Sequence, residues 1–130
     1  MRPERQQFRT LTIFIALAGL MGAGGVILAA RGAHAVTNNG LDSAAYMLLF
    51  HATALLGGTS LLQLGLLWRS LLLLILTAWV FGCVLFAGDI AMRAFLGHRL
   101  FAMAAPAGGT ILIVAWVALA AAGIVALKRT

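Results

Sequence analysis

The sequence predicts an all-α integral membrane protein: a bundle of four antiparallel transmembrane helices with both termini on the cytoplasmic side. Three observations lead there. Hydrophobic residues make up 63% of the 130 and charged residues only 9%, with a mean hydropathy of +1.06, and a soluble domain this small needs a far larger polar surface. The apolar residues fall into four runs separated by short charged breaks, each near or above the ~20 residues that cross a bilayer core at ~1.5 Å per residue. Finally, no run alternates with period two, which excludes a membrane barrel and leaves helices as the structure that satisfies its own backbone in lipid.

The first run covers about residues 10–30, uncharged between Arg9 and Arg31. It imitates a signal peptide: Arg2, Arg5 and Arg9 form a basic leader, and Ala33-His34-Ala35 is an A-x-A pattern. Its apolar stretch exceeds the ~7–15 residues of a signal core, so it is read as a retained first helix. The second run spans about 43–67, between Asp42 and Arg69, after a turn signal in Val36 to Gly40 that includes Asn38 and Asn39. Only Trp68-Arg69-Ser70 separates it from the third run, about 70–94, which demands a tight antiparallel hairpin. The fourth, about 101–127, carries Pro106 in its first turns, where a missing N–H costs least. All four belong to one transmembrane domain, 1–130, with no internal repeat and no linker.

Nine Lys and Arg against three acids give a net charge of +6. These charges sit at the ends of apolar runs, as anchors for lipid headgroups, not on a clustered face with aromatic readers, so nucleic-acid binding is not expected. Arg2, Arg5, Arg9, Arg69, Lys128 and Arg129 fall on one side and Arg31, Arg93 and Arg99 on the other, which places both termini in the cytoplasm. Cys83 is the only cysteine; no intrachain disulfide can form, and a thiol inside an apolar run reads as packing.

Two ionisable residues, His51 and Asp89, lie well inside apolar runs. A charge at mid-membrane costs ~2.5–3.5 kcal/mol on insertion scales, so each needs a partner or water. In helical phase His51 shares a face with Ala44, Ala54, Gly58 and Gly65, and Asp89 one with Ala78, Gly82 and Arg93; small residues mark surfaces where membrane helices approach closely. Both groups are therefore expected to point inward. Counted from the outer side, His51 is ~12 Å and Asp89 ~8 Å deep, near enough to meet directly or through a water. Arg93 follows Asp89 at the i+4 spacing of an ion pair. With Arg31, His34, Asp42 and Tyr46 near the same side, the expected site is a polar pocket at the outer end of the bundle: His51, Asp89, Arg93, Arg31, His34 and Tyr46. Its first reading is structural, bonds that set helix register; its second is a proton relay or substrate site. No close ligand spacing supports a metal, and no Lys-Ser/Thr follows Gly22, Gly24 and Gly25 as a phosphate loop requires. Gln63 reads as an interhelical hydrogen-bonding group.

Four motifs occur in order: Gly32-Ala33-His34-Ala35, Tyr46 through His51-Ala52, Leu85-Phe86-Ala87-Gly88-Asp89, and Ala105-Pro106-Ala107-Gly108-Gly109. Together they resemble domain-of-unknown-function family 423, the YgdD-like small membrane proteins, with bacterial and mitochondrial members, over about Thr10 to Leu127. His34, His51, Gly88, Pro106 and Gly109 stand on the family's motif positions. Ala87 and Asp89 depart from its commoner serines, with no tyrosine following, so the Asp89–Arg93 pair is expected of a subgroup at most. The resemblance implies a four-helix membrane fold and no assigned activity.

The expected function is therefore non-enzymatic: a small multi-pass protein of the bacterial inner membrane acting by association, as an accessory or assembly subunit or a homo-oligomer. Its partners are the lipid bilayer and other membrane subunits or copies of itself, and no cofactor is expected. The rival is transport or proton handling through Asp89, His51 and Arg93. An enzymatic or quinone site would need a Cys pair, a haem-type His pair or a nucleophile–base pair, none of which the sequence offers.

Overall fold

The computed structural model describes residues 3–35 and 39–128; Arg2 and Arg129 of the basic count, and Val36 and Asn38 of the turn signal, lie outside them. Four helices follow in order: α1 Pro3–Ala33, α2 Leu41–Leu64, α3 Arg69–Leu96 and α4 Ala104–Leu127. Each is long and apolar enough to cross a membrane.

The helix ends differ from the ends of the apolar runs for identifiable reasons. α1 begins seven residues before the first run because Glu4, Arg5, Gln6, Gln7 and Arg9 are good helix formers, and Glu4 and Arg31 complement the dipole at its two ends. α2 stops at Leu64, not near 67, because Gly65 takes a left-handed conformation (φ 69°) and its N–H donates to Leu61 O at 3.2 Å. The glycine that helical phase placed on a packing face is instead a terminator. Gly97 ends α3 in the same way, with φ 74° and a bond to Arg93 O. α4 starts three residues later than its run; Phe101 to Met103 form a turn, and Ala107 N donates to Met103 O at 2.8 Å across Pro106, which has no N–H to lose.

The contacts fix an up-down-up-down order. On α1 and α2, Gly25 faces Ala45 and Leu49 while Gly22 faces Ala52; against α3, Gly40, just before α2, faces Ile90 and Gly58 of α2 faces Leu76. On α3 and α4, Gly82 faces Leu112 and Gly109 faces Phe86. The tightest seam is the last: a Cβ on Gly108 would lie 2.6 Å from Gly82 O and 2.7 Å from Phe86 N. Backbone here approaches backbone, as small residues permit in membrane helices.

Helices pack in chain order, α1 on α2, α2 on α3 and α3 on α4, and α1 also touches α3. Among the described residues α1 has no close backbone approach to α4. The four helices thus form an open arrangement with α4 outermost, and α4 is the least buried of them. The main core joins Phe14 and Met21 of α1, Leu55 and Leu62 of α2, Ile75, Leu76 and Trp79 of α3, and Leu112 of α4. A second cluster, with Leu28, Leu41, Ala44, Ala45, Ala87 and Ile90, closes the end bearing the α1–α2 and α3–α4 loops.

Candidate functional site

Among the described residues three side chains inside the helices are both buried and polar or charged: His51, Thr59 and Asp89. Thr59 bonds back to its own helix, Oγ1 to Leu55 O at 2.7 Å. His51 and Asp89 each organise a separate site.

His51 stands ten residues into α2, about 15 Å along the axis at helical rise. That is deeper than its apolar run implied, because α2 starts at Leu41. Its Nε2 lies 3.0 Å from Trp116 Nε1 on α4 and its Nδ1 2.9 Å from Met47 O. An indole N–H only donates, so Nε2 must accept; Nδ1 then carries the proton and donates to Met47 O. Neighbour chemistry thereby selects a neutral imidazole in one tautomer. A second proton on the ring would cost the Trp116 bond. Met47 O also accepts from Cys83 Sγ at 3.5 Å.

Aromatic rings enclose the histidine. Phe50 and Trp79 meet it edge-on at centroid distances of 5.5 and 6.2 Å, and Trp116 at 6.0 Å. Trp79 and Trp116 lie 4.5 Å apart, tilted by 38°. Such offset aromatic pairs add ~0.5–1.5 kcal/mol beyond the area they bury. Trp79 is buried, and its Nε1 has no hydrogen-bond partner among the described residues. The cluster joins α2, α3 and α4, and it spans α2 to α4 through side chains alone.

Asp89 is on α3, close to the loop-bearing end. Its Oδ2 pairs with Arg93 Nη2 at 3.1 Å, the expected i+4 ion pair. Its Oδ1 accepts from Leu100 N at 3.0 Å, and Arg93 Nε reaches Asp89 O at 3.4 Å. Both carboxylate oxygens are thus engaged, one of them holding the α3–α4 loop against the helix that precedes it.

The structure does not bring His51 and Asp89 together. The antiparallel register sets His51 level with Trp79, and Asp89 is ten residues further along α3, about 15 Å away along the axis. Depth counted separately from the ends of two runs could not reveal this offset, because it depends on where α2 starts and which residues it faces. Of the remaining members of the expected pocket, Arg93 stays with Asp89. The Arg31 guanidinium lies over the Phe95 ring at 5.6 Å, a cation–π contact between α1 and α3. His34 is exposed and its N–H donates to Arg31 O at 3.3 Å, and Tyr46 is exposed as well. Among the described residues no three His, Cys, Asp or Glu side chains are placed to hold a metal ion.

Sequence reasoning missed Trp79, Trp116 and Met47 as partners of His51. A signal was present. Tryptophans of membrane helices gather at the interfaces, so one in mid-run next to no charge implies a partner for its N–H. Leu100 N, a loop backbone group, carries no such signal.

The stretch from residue 28 to residue 109, more than half of the chain, matches the model of a family described as protein of unknown function (DUF423). The chain belongs to the DUF423 family. The DUF423 match is narrower at both ends than the resemblance seen in the sequence: it contains His34, His51, Asp89, Pro106 and Gly109, and ends before Trp116. No curated protein and no solved structure matches the chain significantly.

The two oxygens of Asp89 predict distinct outcomes. Asp89→Asn keeps an acceptor for Leu100 N and loses the charge opposite Arg93, whereas Asp89→Leu orphans both partners. Limited proteolysis in detergent should cut the 97–103 loop faster in the order wild type, Asn, Leu. Equal cutting of all three would mean that Asp89 does not secure the loop.

Proposed function

We propose that this DUF423 chain is a multi-pass protein of the bacterial inner membrane that acts by association, as an accessory or assembly subunit or as a homo-oligomer, and not as a catalyst. The observation that carries this reading is the open arrangement: α4 packs on α3, has no close backbone approach to α1, and leaves Ile113, Val114, Val117 and Ile124 exposed. In a bilayer such a face meets either lipid or another helix. The polar groups favour the same reading, because His51 and Asp89 are engaged within the bundle by Trp116, Met47, Arg93 and Leu100. The short connections leave no room for a soluble catalytic unit. Both termini are assigned to the cytoplasm from the distribution of Lys and Arg.

Carbonate-washed membranes should retain the protein, and gentle detergent extraction with native mass measurement should show a homo-oligomer or a copurifying subunit. A strictly monomeric species without a partner would remove the association reading, and a C-terminal reporter active outside the cytoplasm would reverse the topology. Transport or proton handling through Asp89, His51 and Arg93 is the second reading. The observation that favours it is His51, a buried histidine whose protonation would release Trp116.

A further inference from the structure

At the end carrying both termini, the α2–α3 turn and the last turns of α4 enclose an apolar groove of about 780 Å³, with Trp68 and Leu71 on one wall and Ala118, Ala122, Gly123 and Leu127 on the other. Every group lining it is apolar apart from the Trp68 indole N–H and backbone. Two of its lining residues, Trp68 and Leu127, are each followed in the chain by a cation. Arg69 follows Trp68 directly, and Lys128 follows Leu127; both are exposed, and among the described residues neither forms an ion pair. The α3–α4 register brings the two cations to one level. Trp79 faces Trp116 and Gly82 faces Leu112, so Arg69 falls opposite residues 125–126. Lys128 is two or three residues beyond, roughly 3–5 Å along the axis.

We infer that this groove is a binding site for one anionic phospholipid, with an acyl chain along the apolar wall and the headgroup phosphate between Arg69 and Lys128. The complementarity is specific in sign and place. A zwitterionic lipid offers the same chain but carries its own cation beside the phosphate, whereas an anionic headgroup gains from both basic residues, as juxtamembrane cations do at anionic leaflets. The Trp68 ring stands at the level where amphipathic aromatics meet headgroups. Arg5 and Arg9 lie at the same end of the molecule but on α1, which contributes no residue to the groove, whereas Arg69 and Lys128 adjoin its lining residues Trp68 and Leu127 in the chain. They add to the general basic field without defining the site. The inference rests on membrane insertion as proposed above, and carbonate extraction of every variant reads insertion separately from lipid binding.

The test is native mass measurement of the purified full chain in detergent, titrated with phosphatidylglycerol or with phosphatidylcholine of identical acyl chains. One phosphatidylglycerol should bind at least about tenfold tighter than phosphatidylcholine, the scale expected of two cations beside an anionic headgroup. Arg69→Gln with Lys128→Gln should erase that preference, and Arg5→Gln with Arg9→Gln should leave most of it. Gly123→Leu should weaken both lipids, because Gly123 lines the groove and a Cβ there meets nothing within 4 Å. Equal binding of the two lipids would overturn the inference. So would a preference that survives the Arg69 and Lys128 double variant, or a dimer that Gly123→Leu splits, since the groove would then hold a second copy.

Discussion

Gly108→Ala should destabilise the protein in detergent by about 1–3 kcal/mol or more, the cost typical of overpacking a closed seam. The added methyl would sit 2.6 Å from Gly82 O and 2.7 Å from Phe86 N, both backbone atoms. No rotamer change relieves such a clash; α3 and α4 must separate. Gly82, on the facing surface, is constrained less severely: its Cβ would lie 2.8 Å from Leu112 Cδ2, a side-chain atom that can shift, and 3.0 Å from Gly108 O. Gly109→Ala is the matched control, because its methyl would lie 3.8 Å from Phe86 Cδ2, an ordinary contact. Removing a helix-interior glycine favours the helix by up to ~1 kcal/mol, so Gly109→Ala should be neutral or mildly stabilising. Thermal melting of the two variants side by side decides the matter, and a Gly108→Ala protein that melts with Gly109→Ala would show that the seam is looser than the structure has it.

Trp116→Phe should cost more than Trp79→Phe, by roughly 1–2 kcal/mol. Burial alone gives the opposite order, since Trp79 is 2% exposed whereas Trp116 is only half-buried. Each substitution removes a comparable part of an indole. Only Trp116→Phe also strips a hydrogen bond and leaves His51 Nε2 without a donor. An unsatisfied buried acceptor costs ~1–3 kcal/mol, while interhelical bonds in membrane proteins average ~0.6 kcal/mol and reach ~1.7. Trp79→Phe removes an N–H that has no partner among the described residues, so its loss is packing alone. Nitrogen NMR of His51 supplies a readout that packing cannot imitate: Nε2 should lose its acceptor signature in Trp116→Phe and keep it in Trp79→Phe. The reverse order of stabilities, with His51 unchanged in both, would dismiss the bond.

Much of the inward-facing surface was legible in sequence. Ala44, His51 and Gly58 on α2, and Gly82 and Asp89 on α3, are buried as helical phase demands, because a 3.6-residue repeat assigns direction without knowledge of any partner. The Asp89–Arg93 pair was legible for the same reason, as a contact within one helix. What failed was the step between helices. Two depths measured from separate run ends produced one shared pocket, whereas the register keeps His51 with the tryptophans and Asp89 with the α3–α4 loop. Gly65 was ambiguous in principle: a glycine in helical phase serves equally as a close-packing residue or as a left-handed terminator, and only its φ of 69° separates them.

Sequence alone determined that this chain has four apolar helices, where the boundaries of its apolar runs lie, and that two ionisable side chains must turn inward. Those follow from composition and periodicity, which are properties of each segment by itself. Tertiary structure decided that the helices form an open arrangement, that His51 is a neutral acceptor for Trp116, and that Asp89 secures a loop instead of meeting the histidine. The reason is that axial register and helix neighbours are set jointly by close approaches such as Gly108 on Gly82 and by glycine-ended turns, and no single run of residues contains that information.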